Sequence, residues 1–188
     1  MTDEEKAAEE WINPLARKGR KLKNVLKEME PFSLMQMEVP FIIQLVENPK
    51  YDIGLFAGNV DLFTHDCIHV LLGRGLLPKD EAFVIGYTMG STKKMSRWRR
   101  NLFMFCSKYL YPSAYKFGEE ERFIFNMGVM CGARCKTDLS VTNFKKVLNL
   151  PLSKIRSKFK IDVELLRYCY LIEKRVFKKS KESQRLIN

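Results

Sequence analysis

The chain has 188 residues, with 33 Lys+Arg against 22 Asp+Glu, only 2 His, and a formal net charge of +11. That length is enough for one domain with a true hydrophobic core. Hydrophobic residues at 46% and charged residues at 29% exclude a wholly disordered chain, and the few Gly and Pro exclude a collagen-like one. No apolar run approaches the roughly 20 residues that span a bilayer. The start, Met1-Thr-Asp-Glu-Glu-Lys6, is acidic where a signal or transit peptide is basic, so the expectation is an intracellular protein, soluble or peripheral to a membrane.

The first thirty residues read as a polar arm, acidic over 3–10 and basic over 17–27, interrupted by Asn13-Pro14 and Gly19. From Pro31 the chain turns apolar, and two short helices are predicted over 32–37 and 41–46, split by Pro40. The next helix starts at a cap provided by Asn59 or Asp61 and runs to Leu72, where Gly73 stops it. After a short loop containing Gly75, Pro78 opens a helix running to about Met89.

A third long helix is predicted over 93–111, basic at its start and apolar on nearly every side from Leu102 onward. Residues 119–134 form another, with Gly128 and Gly132 on one face for close helix packing. Short helices over 143–148 and 152–159 precede a last one over 162–179, where Leu165, Cys169, Ile172 and Val176 repeat at helical spacing. A basic tail over 181–188 ends the chain. No alternating run is bounded by hairpin turns. The predicted fold is all-α, a single helical-bundle-like domain over 31–180.

Five cysteines (Cys67, Cys106, Cys131, Cys135 and Cys169) form no CxxC pair. Together with two histidines they provide no zinc-finger or ribbon spacing, so buried free thiols are expected. Cys131 and Cys135 share a helix face at i, i+4, open to metal binding or redox chemistry, but small buried residues beside two glycines account for them more simply.

Both histidines of the chain, His65 and His69, are four positions apart. On a helix they lie on one face, about 40° apart and about 6 Å along the axis. Asp66 borders that face, and Glu81 follows His69 after eleven residues, in the first turn of the next predicted helix. Two imidazoles with one or two carboxylates make an N/O ligand set for Zn²⁺, Mn²⁺ or Fe²⁺, with a position left for water or substrate. Setting such groups beside the apolar Phe63, Cys67, Ile68, Leu71 and Leu72 costs desolvation unless a partner satisfies them.

The pattern His65-Asp66-x-x-His69-x11-Glu81 resembles the signature of the coenzyme Q (ubiquinone) biosynthesis protein 4 family. Asp66-Cys-Ile-His-Val-Leu-Leu-Gly-Arg-Gly75 resembles its surrounding context, and Leu150-Pro-Leu-Ser-Lys-Ile-Arg156 a later segment. The resemblance covers about a third of the chain. It implies an all-helical, membrane-peripheral protein with His65, Asp66, His69 and Glu81 as ligands of a divalent metal, typically zinc. It implies action on polyprenylated aromatic intermediates of quinone synthesis, linked to oxidative decarboxylation at ring carbon 1. It also implies organisation of other biosynthetic enzymes on the membrane, and self-association is a further expectation.

Asp66 and Glu81 are the catalytic candidates. Phe103, Phe105, Phe123 and Met127 are candidates to line a groove for the prenyl tail. Lys94, Arg97, Arg99 and Arg100 are candidates to dock on an anionic membrane. The stretch Ala82 to Gly90 is more apolar and glycine-rich than the family pattern suggests. Two other readings stand beside this one: a zincin-like metallohydrolase with Asp66 as general base, and a non-catalytic, basic lipid-binding scaffold. Nucleic-acid binding is disfavoured, because no helix-turn-helix, finger or stacking signature accompanies the charge.

Overall fold

The computed structural model describes residues 6–7, 10–33, 58, 60–109 and 116–187. Helices α1 (Leu22–Ser33), α2 (Leu62–Leu72), α3 (Pro78–Ser91), α4 (Arg97–Tyr109), α5 (Glu119–Arg134), α6 (Leu152–Lys158), α7 (Val163–Val176) and α8 (Lys181–Gln184) follow in chain order. Among the described residues there is no β-strand, so the fold is all-α. The helices expected over 32–37 and 41–46 lie outside the described residues, except for Phe32 and Ser33, which end α1.

The punctuation residues act where the sequence puts them. Asp61 caps α2, its carboxylate accepting from the Thr64 N–H, which satisfies one of the helix's unpaired donors. Gly73 stops α2 with φ of 73°, a left-handed conformation that glycine adopts without strain. Pro78 occupies the first turn of α3, and Asp80 accepts from the Leu77 N–H at 3.2 Å. Asp162 caps α7 through the Leu165 N–H. The segment over 143–148 is a short 3-10 turn, Phe144–Val147, not an α-helix.

The centre of the molecule is the pairing of α3 and α5, and it explains the glycine-rich stretch over 82–90. Gly86 and Gly90 face Gly128 and Gly132. A Cβ on Gly86 would run into the Phe125 carbonyl, and one on Gly128 into the Phe83 carbonyl; Gly90 and Gly132 are closed off likewise by Val129 and Tyr87. Two matched small-residue stripes bring the backbones together, so the Gly128/Gly132 face is used inside the chain.

Residues 10–33 join this core rather than standing apart from it. Leu22, Val25 and Met29, at i, i+3 and i+7 on α1, are at most 1% exposed, and Leu15 is also buried. At the other end, Ser183 and Leu186 are buried as well. On α7 the buried face is Leu166, Cys169, Tyr170 and Glu173, while Ile172 and Val176 are about half exposed, at 49% and 54%. The apolar repeat in α7 is therefore split, with Leu165 and Cys169 toward the core and Ile172 and Val176 outward, and the inward face carries a carboxylate. No helix among the described residues is long and apolar enough to cross a membrane.

Candidate metal centre

The α2–α3 turn brings His65, His69 and Glu81 to one point. His65 Nε2 lies 2.7 Å from His69 Nε2 and 3.0 Å from Glu81 Oε2, and His69 Nε2 lies 3.3 Å from Glu81 Oε1. The imidazole rings are stacked, with centroids 4.6 Å apart, as i, i+4 spacing on a helix dictates. Glu81 sits in the first turn of α3, where the helix dipole favours a carboxylate. Among the described residues this is the one group of three or more His, Cys, Asp or Glu side chains that could hold a metal ion.

The donor set fits a divalent ion. Tetrahedral coordination at bond lengths of about 2.0–2.1 Å sets ligand atoms about 3.3–3.4 Å apart. The observed separations of 2.7–3.3 Å reach that with shifts under about 0.7 Å. His69 Nδ1 lies 2.7 Å from the Gly75 carbonyl. A carbonyl only accepts, so Nδ1 carries a hydrogen, and the neutral form of the ring turns its Nε2 lone pair to the cluster. This outer hydrogen bond is the kind that orients metal-ligating histidines.

The two imidazoles differ electrostatically. Burial, with His69 alongside, pulls the His65 imidazole down to about 4, leaving it neutral and able to ligate at neutral pH. Burial acts in the same direction on His69, but Glu81, by its charge and hydrogen bond, together with Asp66 and Asp80 outweighs it and raises His69, so an ion binding there would displace a proton that the ring holds more tightly than an ordinary imidazole. Three lone-pair donors converging beside an apolar core form a site complementary to a cation.

Asp66 is half-buried on α2 and is not one of the converging three. The spacing alone left its role as ligand or base open, and the geometry brings together only His65, His69 and Glu81.

The C-terminal end of α2 is held by side chains from far along the chain. The carbonyls of Val70, Leu71 and Leu72 accept from Asn13 Nδ2 (3.2 Å), Arg156 Nε (2.8 Å) and Tyr170 Oη (2.6 Å). These are the groups a helix end leaves unpaired. Arg156, from the second family-like segment, thus secures the helix that carries both histidines. Burial pulls its guanidinium down to about 10, still charged at neutral pH.

The loop between the ligand helices has its own brace. Arg74, fully buried, forms two hydrogen bonds to Glu173, at 3.1 Å and 2.6 Å. Its guanidinium lies against the rings of both Phe83 and Tyr170, 4.1 Å and 4.2 Å from their centroids. Asp80 lies 3.7 Å from Arg74 and pairs with Arg185, and the Ser183 hydroxyl donates to Glu173 at 3.0 Å. Burial works against the Arg74 charge, but Glu173, Tyr170 and Asp80 together more than offset it and the pKa is raised. Sequence reading missed this network, which sets Gly75 and Glu81 in place.

The remaining candidates divide between core and surface. Phe103 is buried and stacked on Phe125 at 4.8 Å, and Met127 is buried as well. Phe105 and Phe123 are exposed, Phe105 beside Tyr109 and Phe123 against Phe177. The four do not share one face. Lys94 and Arg97 are exposed, and Arg99 and Arg100 half-buried. They flank an outward stripe of Trp98, Phe105 and Tyr109, each more than half exposed.

No protein-family model, curated protein or solved structure matches the chain.

Proposed function

We propose that the chain is a divalent-metal protein of ubiquinone or related prenylquinone biosynthesis, one that acts on or presents a polyprenylated aromatic intermediate. The observation that carries this reading is the closure of His65, His69 and Glu81 into one donor cluster, with the spacing of the family-like pattern. Arg156, in the second family-like segment, supports it by holding the end of the same helix.

His65, His69 and Glu81 would hold the ion, with zinc the first candidate and Mn²⁺ or Fe²⁺ compatible with the same donors. A bound divalent ion would supply Lewis-acid polarisation of an oxygen on the aromatic head group. Gly75 fixes the His69 tautomer, and Asp66, outside the converging donors, is the group left to carry a proton. The reaction the resemblance implies is oxidative decarboxylation at ring carbon 1.

Docking is assigned to α4. Trp and Tyr favour the boundary between water and lipid, and Trp98, Phe105 and Tyr109 face outward beside Lys94, Arg97, Arg99 and Arg100. Each basic residue near an anionic leaflet contributes about 1 kcal/mol. Vesicle binding should weaken with added salt and in the combined Arg97→Gln, Arg99→Gln, Arg100→Gln variant.

The decisive experiment uses the purified full chain and a short-chain prenylated hydroxybenzoate labelled in its carboxyl group. Metal-dependent binding that is lost in Glu81→Gln supports the reading, and release of label as carbon dioxide under dioxygen makes the protein an enzyme. Binding that is equal with and without metal, or absent in both forms, overturns it.

Asp66, near enough for its charge to act on His69, would suit a general base, which makes a metal-dependent hydrolase the second reading. Chelator-sensitive peptide or ester turnover that is lost in Asp66→Asn would select it.

A further inference from the structure

All five cysteines are free and buried, yet two of them are set apart by their geometry. Cys131 on α5 and Cys169 on α7 bring their sulfur atoms to 3.0 Å, across 38 positions of sequence. The sequence pairs Cys131 with Cys135, but Cys135 turns away and donates to the Phe159 carbonyl at 3.4 Å.

We propose that Cys131 and Cys169 are a modification site, forming a reversible intramolecular disulfide that staples α7 to α5 when the protein meets hydrogen peroxide. A disulfide needs its sulfur atoms at about 2.05 Å, so the pair has about 1 Å to close, shared between two side-chain rotations.

The two thiols are not equivalent. Cys169 is the more accessible, at 8% against 3%. The hydrogen bond from Cys131, aided by the nearby Arg74 charge, lowers the Cys169 thiol pKa despite burial. Burial instead raises Cys67 and Cys106. Cys169 is therefore the attacking thiolate and Cys131 the resolving thiol.

The chemistry balances with peroxide as the oxidant. The Cys169 thiolate attacks one peroxide oxygen, the O–O bond breaks, and hydroxide leaves and takes up a proton to become water. The resulting sulfenic acid is attacked at sulfur by Cys131, the S–O bond breaks and a second water leaves. Two thiols and one peroxide give one disulfide and two waters, the thiols having lost two electrons.

The consequence lies in what α7 carries. Tyr170 and Glu173, beside and one turn beyond Cys169, hold the Leu72 carbonyl and Arg74. The staple fixes the helix that braces the loop between the two ligand helices. The inference depends neither on the metal nor on the quinone reading.

The test treats the purified full chain with a slight excess of hydrogen peroxide, alkylates the remaining thiols and maps peptides without reduction. The expected product links the Cys131 and Cys169 peptides, with a mass about 2 Da below the two thiols. It is reversed by dithiothreitol, and the melting temperature is higher in the oxidised form. Cys131→Ser and Cys169→Ser should each lose the link. The wild-type peptide map decides the matter even if a variant folds poorly. Recovery of both cysteines as alkylated free thiols, a link to Cys135, or a link between chains overturns the proposal.

Discussion

Two polar clusters flank the loop over 73–80, one buried and the other half-buried, and they are built on opposite principles. In one, Arg74 meets Glu173 and Asp80 meets Arg185, so each charge finds its opposite within the chain. In the other, two imidazole nitrogens and a carboxylate converge to 2.7–3.3 Å, a set that could hold a cation. A buried ion pair holds structure whether or not a ligand is present. Converged donors cost desolvation until something binds. The difference separates the part of the molecule that folds the loop from the part that uses it.

The largest effect should come from breaking the self-sufficient cluster. Glu173→Ala leaves the Arg74 charge buried without its bidentate partner, and urea unfolding of metal-free protein should show a loss of about 3–5 kcal/mol. A loss under about 1 kcal/mol would mean that the two clusters are not different in kind. The converged cluster should behave the other way. In Glu81→Gln, metal affinity should fall by more than about 100-fold, while metal-free stability stays within about 1 kcal/mol of wild type.

Gly75 lies between the clusters and sharpens the contrast. A Cβ there would press against Arg185 and the Trp11 carbonyl, displacing the carbonyl that holds His69. Gly75→Ala should therefore weaken metal binding by about 10–100-fold, as read by competition with a chelating dye.

The smallest effect belongs to the rim, at Glu182, which accepts from the Lys79 N–H at 3.0 Å. Burial raises its pKa above the ordinary carboxyl value, so the folded chain holds that proton more tightly than the unfolded one. Its contribution is full below the unfolded carboxyl pKa and is lost as pH rises through the raised value. Thermal melts should show that slope in wild type and not in Glu182→Gln, at under about 1 kcal/mol.

What could be read from the sequence follows from how local each signal is. Asp61, Gly73 and Pro78 act on their own backbone, and the spacing of His65, His69 and Glu81 spans a single helix turn and one short loop. Those features were legible. The Arg74 brace was not, because Glu173 lies 99 positions away and both look like ordinary surface charges. Glu173 also disguised the buried face of α7, so the apolar repeat through Ile172 and Val176 pointed to the wrong side. Basic residues hid the buried stripe of α1 in the same way, although Leu22, Val25 and Met29 were there to be found. The partner of Gly128 and Gly132 became visible only once Gly86 and Gly90 were set against them.

His65, His69 and Glu81 should form a cation site in a framework that folds without the ion. Titrating metal-stripped full-length chain with Zn²⁺, alongside His65→Ala and Glu81→Gln, tests it most directly. The account predicts one ion bound per wild-type chain and loss of that binding in both variants, with helical content unchanged. Wild-type protein that takes up no ion, or variants that bind it as tightly as wild type, would contradict it.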